Sequence, residues 1–136
     1  MKNPIVHFEI PVDDIERAKT FYTQVFDWQI EKFEMPDSSS DEDDYYMVRT
    51  IEVDEKQMPK QAGGINGGLM KRKDPGQPFM NYVSTDSIDN TLNAIKEAGG
   101  EVLMSKTEIA PNMGWIAAFR DTEGNIMGLH EIAELD

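Results

Sequence analysis

The chain has 136 residues, 39% of them apolar and 29% charged, which points to one ordinary folded domain and excludes wholesale disorder or a membrane-spanning apolar run. Thirteen Lys and Arg against 26 Asp and Glu leave a formal charge of -13, which repels phosphate backbones and anionic lipid, so neither nucleic acid nor a membrane is expected as partner. There is no cysteine and no basic start followed by an apolar run, so no disulfide, thiolate metal site or secretory signal is expected, and cytoplasm is the default address.

In chain order, HFEIPVDDIERAKTFYTQV (residues 7–25) reads as a short alternating strand, an acidic stop and a helix. Asp13 with Glu16 is the expected helix start, and Ile15, Ala18, Tyr22 and Val25 form one apolar stripe at helical spacing. Strand-like runs follow at 28–35, 45–53 and 63–70. The acidic loop DSSSDEDD, residues 37–44, interrupts them and reads as a solvated insertion; it lacks the mid-loop glycine and terminal glutamate of an EF-hand calcium loop. MKRKDPGQP, residues 70–78, reads as a solvated connector. A second strand and helix follow in MNYVSTDSIDNTLNAIKEA (80–98), with Asp86 and Asp89 at the start, the stripe Ile88, Leu92, Ile95 and Ala98, and Gly99 and Gly100 at the stop. Further runs at 101–109, 114–121 and 125–132 complete the chain, the last two joined by the hairpin signal DTEGN with Gly124 at the turn.

The two halves share this anatomy, and GGINGGLMKR (63–72) is echoed by EGNIMGLHEI (123–132). Val12 and Thr85 stand 73 residues apart but Gly68 and Gly128 only 60, so the first half is longer by 13, a surplus that the acidic loop accounts for. The expected fold is α+β: two tandem βαβββ modules, about 1–72 and 78–136, in a single domain.

Such a pair of modules resembles the vicinal oxygen chelate (VOC) superfamily, the glyoxalase, bleomycin-resistance and ring-cleaving dioxygenase group. HFEIPVDDIERAKTFYTQVFDW is similar to that family's opening strand and helix, and FRDTEGNIMGL to its closing hairpin. The resemblance implies a curved mixed sheet forming a cup for a metal and a small ligand, in a chain that associates as a homodimer. It also implies four ligand positions, one on the first and one on the last strand of each module, which here fall on His7, Gly68, Met80 and Gly128. Only His7 is a metal-ligand type suited to such a site, and an open catalytic ion needs about three protein ligands. The expectation is therefore a degenerate site with no metal and no cofactor. The alternative is a shifted divalent-metal site of His7, Glu9 and His130, whose two-histidine, one-carboxylate composition suits non-heme iron.

By strand alternation and by likeness, the ligand-binding set is His7, Glu9, Asn66, Gly68, Met70, Met80, Tyr82, Gly128 and His130, with Ile126 on the same face. The two glycines leave open volume beside a ligand or else relieve crowding between strands. Trp115, after the turn signal PNMG, joins the set as a rim residue that could stack on a planar ligand, or packs in the core; Trp28 seals the helix against the sheet. The expected function is binding of a small organic molecule. The alternatives are a lyase, isomerase or dioxygenase-class enzyme using His7, Glu9, His130 or Tyr82 as acid and base, and an interaction module working through its sheet edges or acidic loop.

Overall fold

The computed structural model describes residues 2–33 and 44–133; of the acidic loop only Asp44 falls among them, and its carboxylate pairs with Lys32 Nζ at 3.2 Å. Two helices and eight strands run in the order β1 (Ile5–Val12), α1 (Ile15–Phe26), β2 (Gln29–Phe33), β3 (Tyr45–Arg49), β4 (Gly67–Lys71), β5 (Met80–Ser84), α2 (Ile88–Glu97), β6 (Glu101–Glu108), β7 (Trp115–Arg120) and β8 (Ile126–Glu131). This is the βαβββ pattern twice over. The chain divides into two compact units, one spanning His7–Phe79 and the other made of Met80 onward together with the residues before His7.

In the His7–Phe79 unit the strand order is β2-β3-β4-β1, with β1 parallel to β4 and the remaining pairs antiparallel. Alternation along β1 sends Phe8, Ile10 and Val12 to one face, where they form a buried cluster with Ile30, Val48 and Leu69 beneath Ile15, Ala18 and Tyr22 of α1. Trp28 packs against the same cluster, its ring 5.0 Å from that of Tyr22. The expected stripe of α1 is shorter than its spacing implied, for Val25 is 56% exposed.

In the other unit the order is β5-β8-β7-β6, with β5 parallel to β8. Ile88 and Leu92 of α2 are buried against Ala117 and Leu129, with Val83, Val102, Trp115 and Phe119 around them. Asn3 Nδ2 donates to Ser84 O, and Ser84 N donates to Pro4 O, which ties the first described residues to β5.

Both helix starts lie one residue beyond the expected acids. Asp14 caps α1 by accepting from Arg17 N at 3.0 Å, and Ser87 caps α2 by accepting from Asn90 N at 3.2 Å. Asp13 instead pairs with Arg72 Nε at 3.1 Å, and Arg72 also donates to Pro11 O and Gln77 O, so the connector is anchored where solvation was expected. In the DTEGN turn Gly124 takes φ +88°, while Asp121 Oδ1 accepts from Glu123 N and Asn125 N.

The register gives the duplication a structural form. Glu9 pairs with Gly68 on β4 and Tyr82 pairs with Gly128 on β8, so the intervals of 73 and 60 residues join equivalent positions of equivalent strands.

Candidate functional site

In the His7–Phe79 unit, the sheet face opposite α1 carries the residues with chemistry. Directly paired residues share a face, so Glu9, Gly68, Met47 and Glu31 form one row across the four strands. Met70, Tyr45 and Phe33 form the next row, and His7 lies two residues before Glu9 on that same face.

Tyr45 does not stay in its own row. Its ring leans across Gly68, and its hydroxyl is 2.7 Å from His7 Nε2. A Cβ at residue 68 would coincide with that hydroxyl, so glycine is what permits the crossing. The imidazole and phenol rings are nearly parallel, 13° apart, with centroids separated by 6.5 Å. Glu9 Oε2 lies 3.8 Å from the same Nε2, and the His7 and Glu9 side chains are 28% and 23% exposed. This cluster therefore unites two expected residues with Tyr45, which sequence reasoning missed. Its signal was available only through register, since Tyr45 is 23 residues from Gly68 and next to a charged loop.

The other unit repeats the device more simply. Tyr82, buried on β5, lays its ring over its direct cross-strand partner Gly128. The open volume expected above both glycines is thus filled by aromatic rings. Met80 and His130 are half-buried; His130 pairs with Ile116 and Ser84, two positions along β8 from Gly128.

Two expected binding residues are engaged elsewhere. Asn66 Oδ1 accepts from Thr50 N at 2.8 Å and Ile51 N at 3.1 Å, holding the end of β3 in place. Trp115 packs with the core beneath α2, because Trp115, Ala117 and Phe119 alternate away from Ile116 and Ala118, the partners of His130 and Gly128; Lys106 Nζ sits 4.7 Å from its ring centroid. The rim position expected of Trp115 is corrected accordingly. Glu131, next to His130, faces the helix: it accepts from Ile88 N at 2.7 Å and pairs with Lys106 at 2.9 Å. Partial burial pushes its carboxyl upward, but the Ile88 amide and the Lys106 ammonium together hold it below the ordinary value.

Among the described residues no group of three or more His, Cys, Asp or Glu converges as a metal site. The glyoxalase family model, that of the Glyoxalase/Bleomycin resistance protein/Dioxygenase superfamily, matches residues 4–129. The chain belongs to this superfamily. A glyoxylase-like domain-containing protein of Didymella fabae is 29% identical over 121 residues, which cover 86% of this chain and 84% of that one. Among solved structures, a hypothetical protein from Bacillus halodurans C-125 superposes with a TM-score of 0.68 at 14% identity, covering 100% of this chain and 99% of the other. Methylmalonyl-CoA epimerase from Mycobacterium tuberculosis does so with a TM-score of 0.65 at 14% identity, covering 96% and 88%. At those identities the likeness establishes the VOC fold alone. No helix among the described residues is long and apolar enough to cross a membrane.

Proposed function

We propose that this VOC-domain protein binds a small organic molecule on the helix-free face of its sheet, without an ion at the family's four ligand positions. The observation that carries this reading is the pair of tyrosine rings lying over Gly68 and Gly128. Two of the four positions lack a side chain, a third is the thioether of Met80, and hard divalent cations require oxygen or imidazole donors there. The residues present do not fit the family's metal. They supply instead an apolar aromatic wall with a few convergent polar groups, the composition of a small-molecule pocket. A homodimer in the cytoplasm goes with this proposal on family grounds.

The proposal is tested by thermal denaturation across a metabolite set, because a ligand selective for the folded state raises the apparent stability by mass action. A reproducible rise in Tm, lost in the His7→Ala variant while that variant still folds, supports it. A Tm unmoved by any compound points to the interaction-module alternative.

One observation favours a second reading, acid–base catalysis. His7, Tyr45 and Glu9 are within 2.7 and 3.8 Å of a common imidazole nitrogen, a grouping able to hold and move a proton. His130, the further candidate, belongs to the other unit. Similar structures include methylmalonyl-CoA epimerase bound to methylmalonyl-CoA and NH4+, which places isomerase-class carbonyl acids first among substrates to assay. Turnover that falls at least a hundredfold in both His7→Ala and Glu9→Gln would establish that reading.

A further inference from the structure

We infer that the His7–Tyr45 pair is a hydroxyl-recognising anchor, selecting a neutral ligand that carries an O–H group over a carboxylate or phosphate. The inference rests on the proposed binding role of this face and narrows it to a ligand class.

The argument begins with the shared proton. A phenol and a neutral imidazole 2.7 Å apart share one hydrogen bond, donated by Tyr45 Oη or by His7 Nε2. In either arrangement the phenol oxygen has acceptor capacity toward a ligand hydroxyl. A ligand carboxylate, which only accepts, finds a donor on Tyr45 in just one of the two arrangements.

The surroundings weigh the same way. Glu9 Oε2 is 3.8 Å from Nε2, and Glu31 shares the row of Glu9 across the sheet. Arg49, the cation on this face of β3, stands four residues along the strand from Tyr45 and donates to Gln57 Oε1 at 2.9 Å. With a formal charge of -13 on the whole chain, an anion approaching His7 meets like charge both near and far. A neutral hydroxyl meets acceptors. The ring of Tyr45, held over Gly68, gives the rest of a planar ligand a surface to lie on.

Phenol and benzoate provide a matched pair of probes, since at pH 7 the first is neutral with a donor and the second is an acceptor-only anion. Binding is followed by NMR chemical-shift titration of isotope-labelled full chain, with the His7 imidazole signals as reporters. The expected result is phenol binding that shifts the His7 signals, at least tenfold tighter than benzoate. Tyr45→Phe keeps the ring over Gly68 and should weaken phenol about tenfold with little effect on benzoate, and Glu9→Gln should narrow the gap between the probes. Benzoate binding as tightly as phenol, or phenol binding that shifts His7 yet ignores Tyr45→Phe, overturns the inference while leaving a binding face. Failure of both probes to shift any signal of this face overturns the inference and the binding proposal together.

Discussion

Tyr45 reaches His7 by crossing Gly68. The phenol starts one row along the sheet from Gly68, passes over the one residue whose missing Cβ admits it, and hydrogen-bonds the imidazole at 2.7 Å. A glycine that looks like a deleted ligand when seen in sequence is, in the fold, the clearance for a side chain 23 positions earlier.

Gly68→Ala therefore acts at a distance. The new methyl displaces the Tyr45 ring and breaks its bond to His7, and such overpacking costs about 1–3 kcal/mol. Urea denaturation measures the loss. Adding Tyr45→Ala to the same chain should recover part of it, because the clash is removed; strictly additive losses would mean that the two residues do not touch in solution.

Removing only the hydroxyl separates the bond from the packing. Tyr45→Phe is expected to cost about 0.5–1.5 kcal/mol, the net worth of one hydrogen bond, and to move the imidazole signals of His7 in NMR spectra. An unchanged His7 spectrum would contradict the contact.

The fold was legible where pattern is local and repeated. Two βαβββ units, their helices, the Gly124 turn and the equivalence of Gly68 with Gly128 all follow from alternation, helical spacing and a duplicated sequence. The helix caps were displaced by one residue because Asp13–Asp14 and Asp86–Ser87 each offer two capping side chains in succession, and only backbone geometry chooses between them. Asn66 and Trp115 were misplaced for another reason. A residue at a strand end can serve the site or the scaffold, and the partners that decide, Thr50 and Ile51 for one and the α2 core for the other, come from remote segments. Tyr45 was missed on the same ground.

Glu131 links the strand bearing His130 to the start of α2, and its depressed carboxyl makes that link pH-dependent. A group whose pKa is lower folded than unfolded contributes stability above the unfolded value, near 4.5, and loses it as pH falls through the folded value. Acid denaturation followed by circular dichroism should therefore be less steep below about pH 4.5 in Glu131→Gln than in the native chain. Parallel curves would show that the Ile88 and Lys106 contacts do not persist.

Asp27 ends α1 in the left-handed region, at φ 59°, and donates its amide to Thr23 O. Glycine occupies that region without a Cβ penalty, so Asp27→Gly is expected to raise stability by up to about 1 kcal/mol, read as an increase in Tm. A fall would show that the aspartate side chain contributes more than its backbone conformation costs.

The account holds that aromatic side chains have taken the place of an ion in this VOC domain, and metal analysis of protein purified without chelator or affinity metal tests it most directly. Elemental analysis should find far less than one divalent ion per chain, and saturating manganese, nickel, zinc or magnesium should leave Tm unchanged. One tightly held ion per chain, lost in His7→Ala or Glu9→Gln and accompanied by a rise in Tm on reloading, would contradict it.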